Sequence, residues 1–142
     1  MPEISLSKAR SIVRGILKKG RELEFQPLAV VVVDTGGHLK AFEREDGAFP
    51  GRFEIARGKA YGVVVTGMPG SVLAARSETH PHFVSALNGA YGGQLVPVPG
   101  GILVQDSRER IIGAVGISGD TSENDVIAGL AGIEAAGLAG IS

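Results

Sequence analysis

The stretch from Val98 to Asp125 constrains this chain more than any other. Val98-Pro99-Gly100-Gly101-Ile102-Leu103-Val104 is followed by a polar turn over 106–109. Ile111-Ile112-Gly113-Ala114-Val115-Gly116-Ile117-Ser118-Gly119 comes next, and then Thr121-Ser122-Glu123-Asn124-Asp125. Two apolar runs around a short polar turn predict an antiparallel hairpin that feeds directly into a helix. In the second run Ile111, Val115 and Ile117 alternate with Ala114, Gly116 and Ser118, which predicts one bulky face and one nearly bare face. A bare face admits a helix, a partner chain or a flat ligand close to the backbone. The helix is predicted to begin at Ser122, with Ser122-x-x-Asp125 as a carboxylate form of the capping box. It carries Gly129, Gly132, Ala136 and Gly140 as a small-residue ridge along 126–140. Each glycine in such a helix, Gly137 included, costs about 1 kcal/mol relative to alanine, so close packing must offset the loss.

The rest of the chain reads as alternating helices and strands. Ser5 caps a helix in which Leu6, Ala9, Val13, Ile16, Leu17 and Leu23 recur at helical spacing, with Arg10, Arg14, Lys18 and Arg21 opposite. Leu28–Asp34 is continuously apolar up to Asp34, as in a strand covered on both faces. Thr35-Gly36-Gly37-His38 turns it back along Leu39–Arg44. A helix follows from about Phe53 to Thr66, broken by Gly67-Met68-Pro69-Gly70, with short helices expected at Ser71–Arg76 and His82–Leu87. No internal repeat or linker interrupts 1–142, which predicts one domain.

Composition narrows the function classes. The 142 residues are 44% hydrophobic and 20% charged, a balance that predicts apolar surface covered by another subunit. Net charge is −1 and the basic residues are scattered, so no nucleic-acid footprint is expected. The absence of cysteine excludes disulfides, thiolate metal sites and a cysteine nucleophile. Met1-Pro2-Glu3-Ile4-Ser5 lacks the charged-then-apolar pattern of a leader, and no apolar run approaches membrane-spanning length. A cytoplasmic protein, not associated with membrane, is the expectation.

Several residues bear chemistry, each with a plainer reading beside it. Gly113, Gly116 and Gly119 form G-x-x-G-x-x-G rather than a dinucleotide fingerprint, and Asp120, Glu123 and Asp125 would repel a pyrophosphate there. Lys59 lies on a helix face with Ile55, Ala56 and Val63. Its amine either snorkels outward or, desolvated, holds a carboxylate or acts as a base. Arg44, in Arg44-Glu45-Asp46-Gly47, is either solvated or an anion clamp. Asp34 precedes Gly36-Gly37, where a carboxylate commonly caps the turn. Pro99-Gly100-Gly101 leaves backbone amides uncovered for a carboxylate. His80 and His82, with Glu78 upstream, either present imidazoles to a metal or haem iron or make ordinary surface hydrogen bonds. Two histidines alone do not make a structural metal site, and none is expected.

Taken in order, Asp34-x-x-Gly37, Arg44-Glu45-Asp46-Gly47-Ala48, Ala56-x-x-Lys59-Ala60, Pro99-Gly100-Gly101, Gly113–Gly119 and Asp125-x-x-Ala128 form a series across nearly the whole chain. The series resembles the GlcG/HbpS-like family, which includes the C-terminal domain of PduO-type proteins. The resemblance implies an α/β fold, α+β in layout, with a five-stranded antiparallel sheet flanked by helices and packed into dimers or higher oligomers. It also implies haem or a related tetrapyrrole as a cofactor in some members, and roles in catabolic pathways for others. PduO-type domains resemble one another in a haem-ligating histidine on the first helix. That helix has none here, which leaves His80 and His82 as candidate haem ligands.

The expected function is an oligomeric small-molecule binding protein taking haem or another flat anionic ligand at a subunit boundary. Asp34, Arg44, Lys59, Gly100, Gly101 and Asp125 are its candidate ligand-binding residues. The competing expectation is a small cofactor-free enzyme acting on an organic acid, with Lys59 or a histidine as acid/base and Arg44 orienting the carboxylate.

Overall fold

The computed structural model describes residues 2–142. Helix α1 (Leu6–Glu22) leads to strands β1 (Ala29–Val33) and β2 (Leu39–Arg44). Three helices follow: α2 (Arg52–Thr66), α3 (Gly70–Thr79) and α4 (Pro81–Ala90). Strands β3 (Gly101–Gln105) and β4 (Ile111–Ser118), helix α5 (Ser122–Ala135) and strand β5 (Ala139–Ile141) complete the chain. The strands form one five-stranded sheet in the order β2-β1-β4-β3-β5, with every neighbouring pair antiparallel. This is the expected architecture, with helices on both faces. No helix among the described residues is long and apolar enough to cross a membrane.

The sheet separates two cores. On one face α1 and α5 bring Ile12, Ile16 and Ile133 against Val30, Val32, Val115 and Ile117. On the other, α2 and α3 bring Ala56, Ala60, Val63 and Leu73 against Val31, Val33 and Ala114. The uninterrupted valines of β1 thus feed both cores in alternation, and all are fully buried. The second core thins where β4 carries Gly116 under Ala56 and Ala60. A Cβ added at Gly116 would fall on the Ala56 carbonyl oxygen and lie 2.8 Å from the Ala60 nitrogen, so the backbone of α2 rests almost directly on β4.

Three local expectations are corrected. Ile111 was expected on the bulky face with Val115, but it packs in the α2 core, while Ile112 joins the other. The cause is a β-bulge: Val104 pairs with Gly113 and Gln105 with Ile111, so Ile112 has no partner on β3 and the alternation changes phase. The last helix ends at Ala135 rather than running through Gly140. Gly137 adopts φ +80, a turn that an L-side chain resists, and 139–141 returns as β5 along β3. Its N-cap is Thr121, not Ser122; the Thr121 hydroxyl accepts the Asn124 amide at 3.1 Å. Asp125 is thereby released from a capping-box role.

The glycines of α5 are consumed inside the chain. Gly132 meets α1 at Gly15 so closely that an added Cβ would lie 2.6 Å from the Ile16 nitrogen and 2.8 Å from the Ile12 oxygen. Gly129 lies beneath Ile102 and Ile117. The small-residue ridge therefore answers to helix–helix and helix–sheet contact within one chain.

Candidate functional site

The chemistry gathers at the end of the sheet where β4 leaves it. Lys59, on the inner face of α2, is only 3% exposed. Its Nζ donates to the Ile117 carbonyl at 2.8 Å and to Asp125 Oδ2 at 3.2 Å. Asp125 stands in the first turn of α5, on the opposite face of the sheet, and is 1% exposed. Its other oxygen accepts the Asp120 amide at 3.1 Å. The ion pair therefore passes from one helical layer to the other at the rim of the sheet.

The Pro99-Gly100-Gly101 turn opens that passage. Gly100 has φ +112, a conformation open to glycine, and a Cβ there would lie 2.8 Å from Lys59 Nζ and 3.0 Å from the Ile117 oxygen. A Cβ at Gly101 would collide with the Lys59 carbonyl. The two glycines are thus the wall of the lysine channel.

Burial shapes the electrostatics of the pair. Desolvation pushes Lys59 below the ordinary lysine range; Asp125 opposes this, and the nearby Arg52 charge adds to it. Desolvation likewise pushes Asp125 up, against the pull of Lys59. Each partner is moved toward its neutral form, and each holds the other charged. No buried side-chain nitrogen or oxygen among the described residues lacks a hydrogen-bond partner.

Arg52, the first residue of α2, extends the polar chain outward. Its Nη1 donates to Ser118 Oγ at 3.1 Å, and Ser118 is fully buried. Beyond Arg52 lies a hollow of about 260 Å³, lined by Gln26, Pro27, Gly47, Ala48, Phe49, Arg52 and Gly119. Phe49 stands at its mouth, 74% exposed. A second hollow, about 400 Å³, adjoins it across Pro27 and is lined by Arg21, Glu43, Arg44, Glu45 and Asp46 as well as Leu17.

The structure brings together Lys59, Gly100, Gly101 and Asp125, and sets Arg44 nearby. Arg44 and Ser118 both pair with Ala29, so they share one row of the sheet. Arg44 is exposed, however, and its Nη1 donates to the Ala48 carbonyl at 2.5 Å, bracing the loop over 45–49. The guanidinium whose charge is felt at the buried pair is that of Arg52, through its place on Ser118. Sequence reasoning passed over Arg52, although it precedes Lys59 by two turns and shares its helix stripe. Asp34 is not brought to this end: it sits past the other end of β1, where its Oδ1 accepts the Gly36 and His38 amides, both at 3.0 Å. His80 and His82 are exposed at the junction of α3 and α4, with His80 Nδ1 2.8 Å from Thr79 Oγ1. Neither lines a hollow described above. No group of three or more His, Asp or Glu among the described residues is placed to hold a metal ion.

Comparison with known proteins places the chain in a family. An uncharacterized 15.0 kDa protein of Citrobacter freundii, from a dhaT-dhaS intergenic region, is 32% identical over 129 residues, covering 86% of this chain and 84% of that one. Among solved structures, the Klebsiella pneumoniae protein ORFY superposes with a TM-score of 0.85 at 25% identity, covering 96% of this chain and 92% of its own. A PduOC:heme complex superposes with a TM-score of 0.82 at 24% identity, covering 94% of each chain. At that identity the second likeness speaks to fold alone. The family model described as "Haem degrading protein HbpS-like" matches residues 4–134, and the chain belongs to this HbpS-like family.

Proposed function

We propose that this chain is a small-molecule binding protein that takes a planar, anionic ligand, haem foremost, at the Arg52 end of the sheet. The observation that carries the reading is Arg52 itself. It is held by Ser118, sits beside a buried Lys59–Asp125 pair, and faces an open hollow with an exposed aromatic ring at the mouth. Charged groups backed by a rigid interior are what a site needs to fix an anion's orientation. The family description and the haem complex of a structural relative support haem as the first ligand to test.

The protomer by itself does not offer haem an axial histidine, since neither His80 nor His82 faces a hollow with Arg52. Their exposure suits ligation across a boundary between subunits. An assembly of at least two copies is part of the proposal, supported by the low charge content and by exposed Leu39, Ile127 and Leu6. Haem titration tests it. A Soret shift weakened about tenfold by Arg52→Gln, and abolished by the double change His80→Ala, His82→Ala, is expected. An unchanged spectrum on adding haem to wild type would end the haem reading. Light scattering that showed only a monomer near 14.6 kDa would remove the subunit boundary.

A second reading, acid/base chemistry on an organic acid, is favoured by the downward shift of Lys59 beside the upward shift of Asp125. Proton–deuterium exchange at the α-carbon of small carboxylates, lost in Lys59→Met, tests it.

A further inference from the structure

We infer that the hollow beside Arg52 selects small aromatic carboxylates, with Arg52 binding the carboxylate and Phe49 covering the ring. The inference rests on the reading that this hollow is the ligand site, and it names the ligand class.

The loop that carries Phe49 is pinned rather than loose. Arg44 Nη1 donates to the Ala48 carbonyl, and the Ala48 amide donates to the Glu45 carbonyl at 3.1 Å. Glu45 is tied to β1's approach on both sides: its amide donates to the Leu28 carbonyl at 2.9 Å, and its Oε1 accepts the Leu28 amide at 2.7 Å. Arg21 Nε lies 3.0 Å from Glu45 Oε2. Just beyond, Arg52 N–H donates to the Phe49 carbonyl at 3.0 Å. The bonded backbone on either side fixes where Phe49 leaves the chain, and its ring, 74% exposed, is an apolar face presented to solvent beside the hollow. Leu39, the next large apolar residue in exposure, reaches 52%.

The charge next to that ring is positive and unmatched. Among the described residues Arg52 pairs with no carboxylate; its one side-chain hydrogen bond goes to the neutral Ser118 hydroxyl. The acids around it are already engaged. Asp125 is taken by Lys59. Asp120 accepts the Gln26 amide at 2.7 Å, the Thr121 amide at 2.8 Å and Asn124 Nδ2 at 2.8 Å. These three donors occupy both Asp120 oxygens and hold its carboxyl below its ordinary range. A guanidinium with free N–H groups beside a carboxylate-free wall matches an incoming carboxylate bidentately.

Size sets the class. The hollow, about 260 Å³, falls just below the range of about 300–1,000 Å³ for drug-sized ligands. A single ring bearing one carboxylate suits it; of a tetrapyrrole, only the propionate edge would enter.

Calorimetric titration of benzoate, cyclohexanecarboxylate and acetate into the full chain tests this. Benzoate is expected to bind about tenfold or more tighter than acetate, with cyclohexanecarboxylate between them. Arg52→Gln should lose about tenfold for all three, the scale of one charge-assisted bond. Phe49→Ala should bring benzoate down to the acetate level without touching acetate. Phe49 is exposed, so this variant should melt as wild type does; Arg52→Lys keeps the charge should Arg52→Gln fold poorly. Benzoate no tighter than acetate, or undiminished in Phe49→Ala, overturns the inference. Haem bound in a parallel titration without benzoate leaves the broader reading standing and removes this one; binding of neither ligand removes both.

Discussion

The two faces of the sheet solve the same packing problem in opposite ways. Toward α1 and α5 the strands present Val30, Val32, Ile102, Val115 and Ile117, and the helices answer with Ile12, Ile16 and Ile133. Toward α2 they present Val31, Val33 and Leu103 but also Ala114, Gly116 and Gly101, and over the glycines α2 answers with Ala56, Ala60 and its own backbone. The first face is thick and made of interchangeable aliphatics. The second thins to backbone against backbone over Gly116 and Gly101, and there it carries the buried charge. Thinness and charge are linked: only a helix this close to the sheet lets the Lys59 amine pass Gly100 and reach Asp125 on the other side. Aliphatic cores tolerate volume-conserving exchange, whereas backbone contact and a desolvated ion pair do not.

The sharpest way to break this comparison is to strand one charge. Asp125→Leu leaves Lys59 buried without its carboxylate and is expected to cost about 3–5 kcal/mol in denaturant unfolding. The double change Lys59→Met, Asp125→Leu should recover most of that loss, because both desolvation costs disappear together. A single variant as stable as wild type would show that the pair is not what joins the two layers. Next in size, Gly116→Ala should cost about 1–3 kcal/mol, since its methyl group meets the Ala56 carbonyl. On the thick face Ile117→Val removes one methyl and should cost about 0.5–1.5 kcal/mol. If Gly116→Ala proves the milder of the two, the faces are not different in kind.

The smallest effects are in pH dependence. Lys59 is pushed down in the folded state, so its contribution to stability is full above its unfolded value and is lost as pH falls through the folded one. Asp125 is pushed up, so its contribution is full below its unfolded value and is lost as pH rises through the folded one. Both shifts therefore weigh against the ionised pair between the two unfolded values, and the double apolar variant should lose the gain in stability that wild type shows as pH rises toward the unfolded lysine value or falls toward the unfolded aspartate value. Asp120 runs the other way. Its carboxyl is pushed down by its hydrogen bonds, so its stabilisation is present above the unfolded value and is lost as pH falls through the folded one. Asp120→Asn should blunt the acid limb of the unfolding curve; an unchanged limb would assign acid sensitivity elsewhere.

Much of the fold was readable in advance because its signals are local. The Leu28–Val33 run, the Gly36-Gly37 turn and the helical spacing after Ser5 each report an element through neighbouring residues alone. Strand β5 was not readable: Leu138–Ser142 continues a helical spacing, and only the turn at Gly137 and the free edge of β3 make it a strand. Ile111 was misread for a related reason, since the bulge at Ile112 is set by pairing with β3. At the site, Lys59, Asp125 and the Gly100-Gly101 turn were each singled out in sequence. Their convergence across two layers depends on how closely α2 lies on β4. Asp34 behaves as the turn cap that its Gly36-Gly37 context implies.

Residue order alone decided which segments before Gly137 are helical and which extended, that the chain has buried faces on both sides of a sheet, and that its chemistry lies in a handful of charged residues among glycines. Those properties follow from side-chain periodicity, turn chemistry and the lack of alternatives such as cysteine. Tertiary structure decided which charges meet. Lys59 and Asp125 stand far apart in the chain and on opposite faces of the sheet, and Arg52 rather than Arg44 lies beside them, because helix position on a sheet is set by the depth of the surface beneath it. Bare Gly116 and Gly101 let α2 sink until a lysine amine becomes a buried partner instead of a solvated one.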